Sequence, residues 1–161
     1  MGNVIKVGMA DLQIAKGSDS LITLGLGSCV GVALYDPVSK VGGLLHAMLP
    51  DSTQIHQNSN KAKFVDTGLD ILISKMVDAG ASKSRLKAKL AGGAKMFAFN
   101  DNSNLGGIGD RNAEAAKKKL RTLGIRLIAE DTGLNYGRTV ELYCENGDYH
   151  IRSVGHGVKI I

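Results

Sequence analysis

Apolar positions in the first fifty residues cluster in short runs rather than at helical spacing, at residues 4–7, 11–15, 21–24, 29–35 and 41–49. Runs of this length bounded by turn residues predict β-strands. Asp36-Pro37-Val38-Ser39 separates the last two. Pro37 presets φ for the second position of a turn and Asp36 is a favoured first residue, so the two runs are expected to pair as a hairpin. A polar stretch at 51–60 follows, and then the period changes. Phe64, Leu69, Leu72, Ile73, Met76 and Val77 fall on one face of a helix with Gly80 just past its end. Residues 86–91 predict a strand entering Gly92-Gly93. Residues 112–123 predict a second helix, with Ala113, Ala116, Leu120 and Leu123 as its stripe and Gly124 as its stop. A strand at 125–129 and a hairpin of 139–143 with 149–154 around Asn146-Gly147 complete the pattern.

Strands therefore outnumber helices, and consecutive strands are expected to pair as hairpins covered by two long helices. The fold class is α+β, or a layered α/β sandwich with mostly antiparallel strands, and not a doubly wound nucleotide-binding fold. With no repeat, low-complexity block or Pro/Ser-rich linker, residues 1–161 read as a single domain. Such a chain is long enough to bury roughly two-thirds of its unfolded surface.

Composition narrows the function classes. Hydrophobic content of 43% with 22% charge is ordinary for a globular protein. Aromatics make up 4% and Trp is absent, which argues against a base-stacking nucleic-acid platform. The net charge of +5 comes largely from 83–89 and 117–121, read as two solvated faces suited to an acidic protein partner rather than to nucleic acid. Two cysteines, Cys29 and Cys144, make no disulfide framework. No charged n-region with a long apolar run opens the chain, and no stretch approaches the about 18 apolar residues of a membrane span. A cytoplasmic location with free thiols is expected.

Cys29 and His46 form the candidate chemistry. If Asp36 faces Ser39 across the turn, Cys29 faces His46, and directly opposed side chains have Cβ atoms roughly 4.5–5.5 Å apart on one face of the sheet. A two- or four-residue loop preserves that register, whereas a three-residue loop shifts it. A thiol of pKa about 8.5 is mostly protonated at neutral pH, so a neighbouring imidazole that takes its proton activates it. Gly25 and Gly27 precede Ser28 and Cys29, allowing the backbone amides of Gly27 and Ser28 to turn toward a bound substrate as an oxyanion site. Thr23 is a candidate to fix the imidazole tautomer. A straight strand would hold it about 20 Å from Cys29, so a bend at Gly25 or Gly27 is required. Competing assignments are a buried apolar cysteine and a core histidine, since His46 lies within Leu44-Leu45-His46-Ala47-Met48.

The stretch Thr23-Leu24-Gly25-Leu26-Gly27-Ser28-Cys29-Val30, followed by Asp36-Pro37 and by Val41-Gly42 through His46-Ala47-Met48-Leu49-Pro50, resembles the CheD family of chemoreceptor glutamine deamidases. Gly109-Asp110-Arg111-Asn112 resembles that family's Gly-Glu-Arg-Asn signature with Asp for Glu, and Gly133 through Gly137-Arg138 resembles its late glycine-rich block. The resemblance implies a layered sandwich, Cys29 as nucleophile, His46 as base and Thr23 as orienting residue. It further implies deamidation of receptor glutamines through a thioester, without metal or organic cofactor. Implied partners are the cytoplasmic helices of chemoreceptors and a CheC phosphatase. A binding module that docks and regulates CheC is the alternative, and a thiol protease or acyltransferase a third reading.

Other features are expected to be structural. Gly25, Gly27 and Gly31 miss the spacing of a dinucleotide fingerprint. His46 and His56 lack the acidic or thiol ligands that would complete a metal site. Cys144 is expected in the core, and His150 and His156 beside the last hairpin. Gly92-Gly93 and Gly106-Gly107 are assigned to turns. Arg111 and Asn112 either cap the second helix or order the site; the capping role is assigned, since Asn is a favoured N-cap.

Overall fold

The computed structural model describes residues 2–52, 60–96 and 107–161. Among them, ten strands form two five-stranded sheets. The first sheet holds β1 (Val4–Lys6), β3 (Ser20–Leu26), β8 (Arg138–Tyr143), β9 (Tyr149–Ser153) and β10 (Gly157–Ile160), in the order β1-β3-β8-β9-β10. The second holds β2 (Asp11–Lys16), β5 (Val41–Ala47), β4 (Val30–Asp36), β6 (Lys87–Gly92) and β7 (Arg126–Thr132), in the order β2-β5-β4-β6-β7. Two helices, α1 (Val65–Asp78) and α2 (Ile108–Leu123), pack on the outer face of the second sheet.

The mixed α+β class follows the sequence reading, with a richer topology. Hairpins join β4 to β5, β8 to β9 and β9 to β10, but β2–β5, β3–β8 and β4–β6 are long-range antiparallel pairs. Two edge pairs, β1–β3 and β6–β7, are parallel. Strand β10 lies in the glycine-containing segment after the expected tail hairpin, where no alternating pattern announces it. Helix α2 begins at Ile108 rather than at 112, so Asn112 sits in its second turn and Gly107 is the N-cap. Val77, expected on the buried stripe of α1, is exposed; Val65, Leu69, Leu72, Ile73 and Met76 face the sheet instead.

Two apolar layers explain the runs that opened the sequence. Val30, Val32, Leu34, Val41, Leu45 and Ala47 of β4 and β5 point toward the helices, joined by Leu69, Leu72 and Leu120. Cys29, Ala33 and Leu44 point the other way and meet Leu21, Leu26, Val140, Leu142 and Tyr149 of the first sheet. Every residue of β5 is buried. A strand covered on both faces reads as a continuous apolar run, not an alternating one. Each fully buried Leu or Val contributes about 1.5–3 kcal/mol.

The β4–β5 hairpin differs from expectation in one decisive respect. Asp36 pairs with Val41, not Ser39, so residues 37–40 form the loop and His46 stands opposite Gly31. The reason lies in the Asp36 carboxylate, which is fully buried and accepts from Val38 N at 2.9 Å and Ser39 N at 3.4 Å. It also accepts from Ser82 N at 2.9 Å and from Arg85 Nη2 at 2.8 Å. These bonds hold Asp36 as the last residue of the strand, and Lys40 closes the loop at φ 56° with its N–H on the Asp36 carbonyl. The loop has four residues but is centred on Val38-Ser39, one position later than Pro37-Val38, so the register moves by two residues. Because strand side chains alternate with period two, Cys29, Gly31 and His46 still share one face.

Candidate functional site

Three segments meet between the two sheets. Strand β3 carries Thr23, β5 carries His46, and the chain joining β3 to β4 carries Gly27, Ser28 and Cys29 from one sheet to the other. The pairing of β3 with β8 breaks between Thr23 and Leu26, and Gly25 there takes φ +70°. That left-handed position is open to glycine at no steric cost. It bends the chain between Thr23 and Cys29.

The Thr23–His46 contact defines a tautomer. Thr23 Oγ1 lies 2.7 Å from His46 Nδ1 and 2.7 Å from the carbonyl oxygen of Val7. A hydroxyl has one proton and a carbonyl only accepts. Thr23 therefore donates to Val7, and Nδ1 must be the protonated nitrogen that donates to Oγ1. Nε2 is left with a free lone pair, and it has no hydrogen-bond partner among the described residues. His46 is 1% exposed, and burial pushes its pKa below the ordinary imidazole value, with the charge of Asp11 opposing. Asp11 is its register partner on β2.

Cys29 is buried but not sealed, at 9% exposure. Burial raises the pKa of its thiol, and its own backbone N–H pulls the other way. The raised Cys29 thiol and the lowered His46 imidazole both favour neutral groups over a preformed ion pair. Carried one residue back from Val30, the β4–β5 register sets Cys29 diagonally from His46 rather than directly opposite. Diagonal neighbours about 7–8 Å apart remain within reach of long side chains. The elbow is held by the end of β6: Ala94 N donates to Gly27 O and Gly93 N to Cys29 O, both at 2.9 Å. Among the described residues, no backbone carbonyl accepts from the N–H of Ser28 or Cys29. A cavity of about 160 Å³ adjoins Ser28, walled by Ala94, Met96, Ile108 and Gly109.

The remaining candidates take structural places. Cys144 is fully buried, and burial raises its thiol to a pKa of about 11. The His150 ring lies 4.5 Å from that of Tyr143, and His156 stacks on Tyr136 at 3.9 Å. His56 and Gly106 lie outside the described residues. Asn112 is not an N-cap; its Nδ2 reaches Ser28 O and Met48 O, each at 2.9 Å. Arg138 was not singled out as a site residue from sequence. Its buried guanidinium bonds Asp131 Oδ2 and Gly133 O at 3.1 Å, beside the β6 terminus that braces Cys29. The available signal was parity, since Arg138 shares the inward face with Val140 and Leu142. A cation on a core face needs a partner.

No described helix is long and apolar enough to span a membrane, and no cluster of three or more metal-ligating side chains occurs among the described residues. The family model described as CheD chemotactic sensory transduction matches residues 48–153. Three relatives are named "Probable chemoreceptor glutamine deamidase CheD". That of Lachnoclostridium phytofermentans is 55% identical over 100% of both chains. Those of Caldanaerobacter subterraneus subsp. tengcongensis and Syntrophomonas wolfei are 54% and 51% identical, over 98% and 100% of both chains. The Bacillus licheniformis hypothetical protein YfiH shares a TM-score of 0.42 and 15% identity, covering 72% of this chain and 47% of its own, too distant to bear on the fold. With full-length identities above one half and a matching family model, this chain belongs to the CheD family.

Proposed function

We propose that this chain is a protein-glutamine deamidase that converts glutamines of chemoreceptors to glutamates, as the names of its full-length relatives indicate. The observation that carries the chemistry is the Thr23–His46 hydrogen bond, which leaves Nε2 as a base on the same face as the Cys29 thiol. Cys29 Sγ attacks the side-chain carbonyl carbon of the glutamine while His46 Nε2 takes the thiol proton. The carbonyl oxygen becomes an oxyanion held by the N–H groups of Ser28 and Cys29, on the elbow that Gly27 begins. His46 returns the proton to the departing nitrogen, ammonia leaves, and a thioester remains. Water, deprotonated by His46, cleaves the thioester to glutamate and frees the thiol. Every step uses protein groups and water, so the reaction requires no metal or organic cofactor.

The substrate is a cytoplasmic receptor helix, and the enzyme works in the cytoplasm as one domain over residues 1–161. Exposed Met96 and Leu134, on segments joined by Lys95 N donating to Leu134 O beside the elbow, offer apolar contact to a protein substrate. The family resemblance supports a CheC-type phosphatase as a second partner. Mass spectrometry of receptor fragments tests the reading. The protein should produce the Gln-to-Glu shift with release of ammonia, and Cys29→Ala should abolish both. Persistent ammonia release from the Cys29→Ala protein would overturn it.

A further inference from the structure

Asn112 belongs to α2, yet its side chain serves other elements. It is fully buried, and both N–H bonds of Nδ2 are spent on carbonyls outside the helix, Ser28 O and Met48 O, each at 2.9 Å. Its Oδ1 is buried without a partner among the described residues. Leaving such an acceptor unpaired carries a desolvation penalty that an apolar side chain would avoid.

The close seating of α2 explains how Asn112 reaches the elbow. A Cβ at Gly109 would fall 2.7 Å from the carbonyl oxygen of Gly93, so only glycine lets the first turn lie against the end of β6. One turn later, Asn112 arrives at Ser28. Three consecutive elbow carbonyls are then each held by a donor: Gly27 by Ala94 N, Ser28 by Asn112 Nδ2 and Cys29 by Gly93 N. Ser28 alone among the three depends on a side chain. In a trans peptide the N–H points opposite to the C=O. Drawing Ser28 O toward α2 therefore turns the Cys29 N–H away from α2 and fixes its direction. The second bond lands on Met48, immediately past the strand that carries His46.

We infer that Asn112 is a positioning residue for this reaction: it aims the Ser28–Cys29 peptide N–H at the developing oxyanion, with its second bond to Met48 O anchoring the amide that does so. The inference rests on the roles proposed above for Cys29 and His46. Asn112 touches no reacting atom and acts through the peptide it orients.

Asn112→Ala and the volume-keeping Asn112→Leu test it through two readouts on the full chain. On receptor fragments, kcat should fall about 10²–10³-fold, the loss typical of one misplaced oxyanion donor. KM should stay within about threefold, as for an interaction made only in the transition state. Alkylation of Cys29 by iodoacetamide forms no oxyanion, so its rate and pH profile should stay within about threefold of the parent protein. A kcat near that of the parent in either folded variant overturns the inference. So does an alkylation rate that falls in parallel with kcat, which would mark a general loss of site structure. Ammonia release that survives Cys29→Ala would instead remove the underlying site assignment, and so the two failures are distinguishable.

Discussion

At the scale of single residues, the Thr23–His46 contact predicts a directional pH response. A general base must be neutral, and burial lowers the pKa of His46 below its ordinary 6.5. The acid limb of kcat/KM should therefore lie below pH 6.5, with activity lost as pH falls through it. Because the Cys29 thiol is shifted upward, a mechanism needing preformed thiolate would accelerate across alkaline pH, whereas the general-base route predicts a plateau through neutrality. A pH–rate profile separates the two. Replacing Thr23 with Val removes the acceptor that fixes the tautomer, and kcat should fall about 10²-fold, the lower end of what a positioned base contributes; Thr23→Ser should retain most activity. Cys29 should be alkylated faster than Cys144, which is fully enclosed and whose thiol pKa is raised to about 11. Mass mapping after limited iodoacetamide treatment measures the ratio, and equal labelling would count against an accessible nucleophile at position 29.

At the scale of elements, the β4–β5 hairpin shows what local reasoning reaches and where it stops. The strands, the turn and the face shared by Cys29 and His46 were legible because alternation is a property of the chain itself. The register was not, because it depends on Arg85 and Ser82, 49 and 46 residues from Asp36. The start of α2 was missed for a related reason: Gly107 offers no side-chain cap, while Asn112 looks like one. Thr23 was placed through family resemblance and a required bend, and the φ of Gly25 provides that bend. Arg138 was passed over although its parity marked it. The Asp36–Arg85 pair also makes a prediction. Arg85 holds the carboxyl well below the usual carboxylate range against the opposing effect of burial. A lowered folded-state pKa contributes stability above the unfolded value and loses it as pH falls through the folded one. Arg85→Ala should lower the urea midpoint at neutral pH, since a buried acceptor loses its charged donor. The same variant should lose less stability than the parent on acidification.

At the scale of the whole molecule, β4 and β5 are shared between two cores, one toward the helices and one toward the first sheet. Strands buried on both sides couple the two layers, and urea unfolding followed by near- and far-ultraviolet dichroism should give one coincident transition. His46 adds a pH dependence to it. Its lowered pKa means the unfolded chain binds more protons, so stability should decline as pH drops below about 6.5. The elbow from β3 to β4 has a further meaning for assembly. Thr23 is contributed by one sheet and His46 by the other, and Cys29 sits on the only stretch of chain between β3 and β4. A half-assembled molecule in which only the second sheet has formed would set Cys29 and His46 on one face but lack Thr23, the group that fixes the imidazole tautomer. On the roles proposed above, closure of the two sheets is thus also the step that readies the base.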